Sequence, residues 1–301
     1  MQDILMRAGC FVAVIIMGYT LRRIGFFKAE DFNVLAKIVI RITLPASIIY
    51  SFSGMEVAPS MLLIAALGLA GGLIYMGLGW LLNRRTGKEQ QAFAMLNTTG
   101  YNIGNFTMPF VQSFLGPMGV VTTSLYDTGN AFICLGGAFS IASMVKDNKG
   151  FSIKRVLKSL LLSVPFDCYM IMIILNLVHV TLPSPIISLA GLIGNANAFM
   201  AMLMLGVGFK LSGDRKQIGK IVKMLSVRYG VACAIAFGCF LLPFPLEVRR
   251  TLMVLAFSPI ASAAPAFTEE MKGDVGLASA INSLSIVISI ICIVALLLIT
   301  L

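Results

Sequence analysis

Charged side chains are scarce in this sequence. Only 12% of its 301 residues are Asp, Glu, Lys or Arg, which is about half the share found in a typical soluble domain. Hydrophobic residues make up 58%, and the mean hydropathy is +0.93. A chain this apolar cannot bury all its hydrophobic surface within itself and needs lipid as its solvent. The composition therefore argues against a soluble enzyme and predicts an all-α, polytopic membrane protein.

Motifs for catalysis and metal binding are also missing. The six cysteines do not have the short spacing of a metal site, and His179 is the only histidine. Asp127-Thr128-Gly129 matches the aspartic-protease tripeptide, but that chemistry needs two such loops and the sequence has one. We expect no enzyme activity, no cofactor and no bound metal.

Apolar runs recur along the chain and predict about ten membrane-spanning helices. Their approximate ranges are 4–21, 34–53, 60–82, 91–115, 118–145, 156–178, 185–210, 218–242, 248–271 and 274–300. A division near residue 150 leaves five helices in each half, 1–150 and 151–301. Because five is odd, the second half enters the membrane in the opposite orientation. We therefore expect two inverted five-helix repeats.

The net charge of +10 raises the alternative of nucleic-acid binding, but the positions of the basic residues argue against it. In a ten-helix arrangement, all of the 23 Lys and Arg residues except Arg7, Arg249 and Arg250 fall on one side. Such an excess marks the cytoplasmic face. We expect both termini outside, a multi-pass location in the cell membrane, the lipid bilayer as a partner and no nucleic acid.

Helix-breaking residues occur at matched positions in the fourth and ninth segments. The fourth contains Gly100, Asn102, Gly104, Asn105 and Pro109, and the ninth contains Pro259, Ile260, Ser262 and Pro265. Proline removes a backbone donor and clashes with the preceding turn, and lipid tolerates a broken helix only where protein or water satisfies its backbone. We predict two discontinuous helices that cross at mid-membrane, with Gly104, Pro109, Pro259 and Pro265 at the crossover. Two ordinary proline kinks are the alternative.

The predicted crossover carries uncharged polar groups. Asn102 and Asn105 provide amide donors, and the start of each half-helix carries a partial positive charge. Such a site suits a carboxylate better than a metal cation, and without a buried Arg or Lys it would also release the anion. Asp127 is either a proton-coupling group or a hydrogen-bond anchor for the crossover. For Asp167, too, the sequence does not distinguish a functional group from a structural anchor.

Five stretches, in order along the chain, resemble the auxin efflux carrier family, which includes the plant PIN proteins and bacterial dicarboxylate permeases. They are Thr43-Leu44-Pro45-Ala46, Asn102-Ile103-Gly104-Asn105 through Pro109, Asp127-Thr128-Gly129-Asn130-Ala131, Asn195 through Gly206, and Ala263-Ala264-Pro265 with Glu269 and Asp274. The linker at 146–155 is short compared with the long cytoplasmic loop of the plant proteins. Regulation through such a loop is therefore not expected.

The resemblance implies a fold like that of NhaA and the bile-acid symporters. Helices one, two, six and seven would form a scaffold. Helices three to five and eight to ten would form a transport domain that moves as an elevator, commonly within a homodimer. By similarity, Asn102 would contact a substrate carboxylate, Asn195 would approach from the seventh helix, and Pro45 would face the cavity. The expected substrate-binding set also includes Asn105, Ile260 and Ser262. Asn130 is expected to share the role of Asp127, in proton coupling or as a structural anchor.

Two functions remain open from the sequence. The first is a secondary transporter of small organic anions such as malate, malonate or an auxin-like acid. The second is a cation/proton antiporter or sodium-coupled symporter on the same scaffold. A cation exchanger normally places carboxylates beside the crossover, where this sequence offers Asp127 alone. The sequence therefore favours the organic-anion transporter.

Overall fold

The computed structural model describes residues 2–28, 30–147, 150–209 and 217–301. These residues are mostly helical and contain no β-strand. The basic loop around residues 212–216 lies outside the described residues. The helices up to residue 147 are α1 (Gln2–Arg23), α2 (Asp31–Ile38), α3 (Leu44–Phe52), α4 (Leu63–Leu82), α5 (Lys88–Thr98), α6 (Met108–Phe114), α7 (Gly116–Phe132) and α8 (Ala138–Asp147).

The helices after residue 150 follow a similar order of long and short elements. They are α9 (Ile153–Leu161), α10 (Val164–Leu177), α11 (Ser184–Gly194), α12 (Asn197–Gly208), α13 (Ile218–Phe240), α14 (Leu246–Ala256), α15 (Ala264–Glu270) and α16 (Val275–Thr300). In the first half, π-helical turns at Val39–Thr43 and Ile133–Gly137 join α2 to α3 and α7 to α8.

Seven helical stretches in the described ranges are long and apolar enough to cross a membrane. They are Ile4–Arg23, Asp31–Phe52, Pro59–Leu82, Gly116–Asp147, Ser184–Gly208, Ile218–Phe240 and Val275–Thr300. Large apolar side chains cover their outer faces, and Leu192 and Ile299 are 75% and 83% exposed. A surface of this kind is suited to lipid, so the predicted all-helical, multi-pass class is confirmed.

The fourth and ninth predicted segments are interrupted in the structure. The fourth consists of α5 and α6, with 11 and 7 residues. The ninth consists of α14 and α15, also with 11 and 7 residues. Each of these helices is too short to cross a bilayer alone, since a span needs about 20 residues. The alternative of two ordinary proline kinks does not describe these segments, because several non-helical residues separate the two parts of each.

The sixth predicted segment is not one continuous helix. Its first part is α9, which meets α10 at an angle of 75°. Pro165 lies in the first turn of α10 and cannot donate the backbone hydrogen bond that would continue α9. Asp167, whose role the sequence leaves open, lies in the first turn of α10. The span predicted over 156–178 is therefore formed by two helices joined at a bend.

Glycines allow two pairs of long helices to approach backbone to backbone. On α4, a Cβ atom at Gly68 would lie 2.0 Å from the carbonyl oxygen of Tyr126 in α7. On α12, a Cβ atom at Gly206 would lie 2.1 Å from the carbonyl oxygen of Ile15 in α1. Only glycine fits at such distances, so α4 with α7 and α1 with α12 each form a tightly packed pair.

Candidate functional site

The break between α5 and α6 starts after Thr98 and ends in a π-helical turn at Ile103–Thr107. Gly100 has φ +77°, a left-handed conformation that glycine adopts without strain. Asn102 follows with φ −80° and ψ 74°, which is not helical. These residues interrupt the backbone hydrogen bonding of the segment in its middle, as the sequence predicts.

The break between α14 and α15 runs from Phe257 to Ala263. Its backbone is held by α16, where the Ser285 hydroxyl accepts a hydrogen bond from the N–H of Ile260 at 3.2 Å. The side-chain amide of Asn282 donates to the carbonyl oxygens of Ile260 and Ala261 at 3.1 and 3.2 Å. Polar side chains of the adjacent helix therefore satisfy the groups that the break exposes.

The two breaks meet. The N–H of Asn102 donates to the carbonyl oxygen of Pro259 at 2.9 Å. The side-chain amide of Asn105 donates to the hydroxyl of Ser262 at 3.3 Å. The hydroxyl of Thr107 donates to that of Ser258 at 2.7 Å. Backbone and side chains from segments more than 150 residues apart in the chain thus form one polar junction, which we call the crossover.

Asp127 and Asn130 of α7 hold the first break. Asn130 donates to the carbonyl oxygen of Tyr101 at 3.0 Å and accepts from the N–H of Tyr101 at 3.1 Å. Asp127 accepts from the amide of Asn130 at 2.8 Å and from the hydroxyl of Tyr169 in α10 at 2.9 Å. The carboxyl group of Asp127 is therefore linked both to the crossover and to the helix that faces it.

A first cavity, of about 180 Å³, lies on one side of the crossover. We call it cavity 1. Its lining includes Asp127, Asn130 and Cys134 together with Leu44 and Tyr169. The lining also includes Ile40, Pro165, Phe166 and break residues 101–105 and 261–263. A recess lined by Lys37, Arg41, Ile40 and Ser163 lies beside this cavity and shares the last two residues with it.

A second cavity, of about 200 Å³, lies on another side of the crossover. We call it cavity 2. Its walls come from α1, α12 and α16 and include Arg22, Met204, Ser279, Asn282 and Ser283. Three residues line both cavities, namely Asn102, Asn105 and Ser262. The crossover therefore borders both cavities and presents the same uncharged polar groups to each.

On the side of the breaks toward α6 and α11, direct side-chain contacts fill the space between helices. Gln112 of α6 donates to the carbonyl oxygen of Gly194 at 3.0 Å. Asn197 of α12 donates to Gln112 at 3.3 Å and accepts from the hydroxyl of Thr43 at 3.0 Å. Asn197 is fully buried. These contacts join α6 to α11 and α12, whereas Arg22 lines cavity 2 and Lys37 and Arg41 line the recess beside cavity 1.

The structure brings part of the predicted site together. Asn102, Asn105 and Ser262 line both cavities; Gly104, Asp127 and Asn130 line cavity 1, and Pro265 lines cavity 2. Four of the other predicted residues are buried without lining either cavity, namely Pro45, Pro109, Pro259 and Ile260. Asn195 is exposed in the turn between α11 and α12 and lines neither cavity. Asn197, two residues later, faces the interior instead.

Arg228 was not expected to be buried. The sequence reasoning counted it among the basic residues of the cytoplasmic face and assumed no buried Arg or Lys near the crossover. That assumption is wrong, because Arg228 lies in the middle of α13 with a 1% exposed side chain and donates to carbonyl oxygens of both breaks. A lone arginine in the centre of an apolar segment is itself a signal of a functional group.

A multi-pass helical bundle in which two broken helices meet beside two cavities has the architecture of a membrane transporter. Residues 8–299 match the model of the membrane transport protein family, and the chain belongs to that family. This is the auxin efflux carrier family that its motifs indicated. The chain is also 22% identical over 291 residues to a protein of Methanothermobacter thermautotrophicus described as an uncharacterized transporter, a similarity that covers 93% of each chain.

Proposed function

We propose that this protein is a secondary transporter of small organic anions and that the crossover binds the carboxylate. The observation that carries the proposal is the shared lining of the two cavities by Asn102, Asn105 and Ser262. Their amide and hydroxyl groups can donate hydrogen bonds to a carboxylate without a fixed charge that would retain it. Because they face both cavities, they can hold a solute that passes the crossover.

Basic side chains in cavity 2 and in the recess beside cavity 1 support an anionic substrate. Arg22 lines cavity 2, and Lys37 and Arg41 line the recess beside cavity 1. Within the described ranges, Asp127 is the only acidic residue that lines either cavity. A concave surface with an excess of positive charge raises the local concentration of anions.

Equivalent contacts in the two halves support inverted five-helix repeats over 1–150 and 151–301. In the first half, Asn130 bonds the backbone of the break at Tyr101, and in the second half Asn282 bonds the backbone of the break at Ile260. Asn130 lies three positions after Asp127, and Asn282 lies three positions after Ser279. Asp127 and Ser279 are both polar residues that line a cavity. On this proposal α5–α6 and α14–α15 complete ten spans, and both termini lie outside.

Tight packing within two groups of helices supports an elevator mechanism. The pair α1 and α12 belongs to the scaffold of the proposal, and the pair α4 and α7 belongs to its transport domain. Contacts between the two groups use side chains, such as those of Gln112 and Asn197 or Tyr169 and Asp127. Side-chain contacts can exchange when a rigid body slides, whereas backbone contacts at Gly68 and Gly206 cannot.

A homodimer is the proposed assembly. Asn195 exposes its amide near the middle of the span Ser184–Gly208, next to the 75% exposed Leu192. A polar group that faces lipid without a partner is unfavourable, and a second helix can satisfy it. A second copy packed on α11 would cover this face of the scaffold and leave the cavities free.

One observation favours the alternative of a proton- or sodium-coupled cation transporter. Asp127 lines cavity 1 beside the crossover, which is where a cation-exchanging carboxylate would lie. Both of its oxygen atoms already accept hydrogen bonds from Asn130 and Tyr169, however. We therefore assign Asp127 to proton coupling or to anchoring the break rather than to a transported cation.

Uptake into proteoliposomes tests the proposed function. The purified protein would be supplied with a panel of radiolabelled mono- and dicarboxylates, with proton and sodium gradients imposed separately. We expect saturable uptake of at least one carboxylate that unlabelled carboxylates compete for. Gradient-driven cation exchange that does not depend on any organic anion would favour the alternative.

A further inference from the structure

Arg228 is an isolated positive charge inside the helical bundle. It is residue eleven of the 23 in α13, and its side chain is 1% exposed. A buried guanidinium in a membrane protein requires strong partners because its desolvation is costly. In the described part of the chain these partners are backbone carbonyl groups and aromatic rings, not carboxylates.

The carbonyl groups come from the C-terminal ends of both first half-helices. One guanidinium nitrogen donates to Thr98, the last residue of α5, and the other donates to Gly100 at 2.9 Å. The second nitrogen also donates to Ser258, just beyond the end of α14, at 2.9 Å. Helix C-termini carry a partial negative charge, so two such ends at one point create a strong site for a cation.

In transporters with broken helices, half-helix C-termini and unwound carbonyl groups are where coupling cations are held. In this protein the guanidinium group of Arg228 occupies the position between these carbonyl groups. We propose that Arg228 is the resident cation of the crossover, that it neutralises the C-terminal ends of α5 and α14, and that transport therefore needs no sodium ion at this point. This inference rests on the proposed transport function. It adds that anion transport is not coupled to a sodium ion bound at the crossover.

The surroundings of Arg228 keep its guanidinium in place. Its guanidinium carbon lies 4.5 Å from the centre of the Tyr75 ring and 5.4 Å from that of Tyr101. The hydroxyl of Tyr75 donates to the carbonyl oxygen of Arg228 at 3.1 Å, and the neighbouring Tyr229 bonds Ser289 of α16 at 2.7 Å. Arginine stays charged in proteins and its planar fork fits several acceptors at once. Arg228 lines neither cavity, so its charge is a fixed part of the transport machinery.

The test uses purified full-length protein and its melting temperature, which does not require a known substrate. For the wild type we expect the same melting temperature in sodium chloride and in choline chloride at equal ionic strength. For Arg228→Ala we expect a melting temperature lower by more than about 5 °C. Sodium or millimolar methylguanidinium should raise it again, because either cation can occupy the vacated carbonyl site, whereas choline is too large.

Arg249→Ala is the matched control. Arg249 also donates to a helix C-terminal carbonyl, that of Phe240 at 2.9 Å, and lies over the Phe240 ring, but at an exposed end of the bundle. Water can replace its guanidinium there, so sodium and methylguanidinium should leave the melting temperature of this variant unchanged. Rescue of both variants to the same extent would indicate a general salt effect and contradict the proposal.

Arg228→Lys covers the case in which the alanine variant does not fold. It keeps the positive charge but cannot reach all three carbonyl groups, so we expect a lower melting temperature that does not depend on sodium. A wild-type protein that is stabilised specifically by sodium, or whose uptake requires sodium, would overturn the proposal. An Arg228→Ala variant as stable as the wild type in choline would also overturn it. Failure of carboxylate uptake would instead count against the proposed function and leave these melting results unaffected.

Discussion

The side chain of Asn130 pairs with the backbone of Tyr101 as a second peptide group would, accepting from its N–H and donating to its carbonyl oxygen. Tyr101 lies within the first break, where helical hydrogen bonding is lost. Asn282 supports the second break from α16 through the carbonyl groups of Ile260 and Ala261. Each broken segment is thus stabilised by an asparagine on a continuous neighbouring helix.

Replacing either asparagine should destabilise its break. In Asn130→Ala, the buried N–H of Tyr101 loses its partner, at a cost of about 1–3 kcal/mol, while the carbonyl oxygen of Tyr101 keeps the N–H of Ile103 as a donor. Asn282→Ala should have a similar effect on the second break. We expect both variants to lower the melting temperature and to reduce uptake. A functional protein with wild-type stability in both cases would contradict this account of how the breaks are held.

Asn102→Ala should abolish or strongly weaken substrate binding while the protein still assembles. A hydrogen bond to a charged group contributes about 1.5–3 kcal/mol, so the affinity should fall by about tenfold to a hundredfold. The measurement is binding or uptake of a carboxylate identified in the panel. Asn83→Ala is the matched control, because it makes the same chemical change at an asparagine just after α4 that lines neither cavity. Wild-type affinity in Asn102→Ala would remove the proposed site.

Asp127→Asn separates the two roles proposed for this carboxyl group. Asparagine has nearly the same shape, its amide oxygen can still accept from Asn130, and its NH2 group can donate to the hydroxyl oxygen of Tyr169, so the break should remain in place. If Asp127 couples transport to protons, the variant should bind the anion normally but lose the pH dependence of uptake. The measurement is uptake at a series of pH values with and without a proton gradient. An unchanged pH profile would indicate that Asp127 is an anchor.

Gly68→Ala should destabilise the packed pair α4 and α7. The new Cβ atom would lie 2.0 Å from the carbonyl oxygen of Tyr126, so the helices must separate. Overpacking typically costs about 1–3 kcal/mol, and a clash with backbone falls at the upper end. Gly77→Ala on the same helix is the control, since its Cβ atom would have no neighbour within 4 Å. Thermal unfolding in detergent should show a large loss for the first variant and little change for the second.

The broken helices could be predicted from the sequence because their signals are local. Glycine and proline weaken or interrupt helical hydrogen bonding wherever they occur. The matched spacing of Gly100, Pro109, Pro259 and Pro265 in the two halves identified the crossover. The link between Asp127 and Asn130 also follows from their positions, since residues three apart share one face of a helix. These features need no knowledge of how distant helices pack.

The errors concern positions that depend on packing. The sequence does not reveal which face of the seventh segment turns inward, and the interior asparagine is Asn197 rather than Asn195. Arg228 was assigned to the membrane surface because nearby basic residues lie there, whereas its partners are carbonyl groups of the two broken segments, including those of Thr98 and Ser258. Contacts between residues 130 positions apart leave no local pattern to read.

The two cavities differ in one respect that bears on the electrical character of transport. Cavity 1 contains the carboxyl group of Asp127, and cavity 2 has Ser279 at the corresponding position before its asparagine. If Asp127 carries a proton in each cycle, a monoanion would cross with no net charge and a dianion would take one negative charge with it. The inside-negative membrane voltage would then leave monoanion movement unaffected and drive dianions out of the cell.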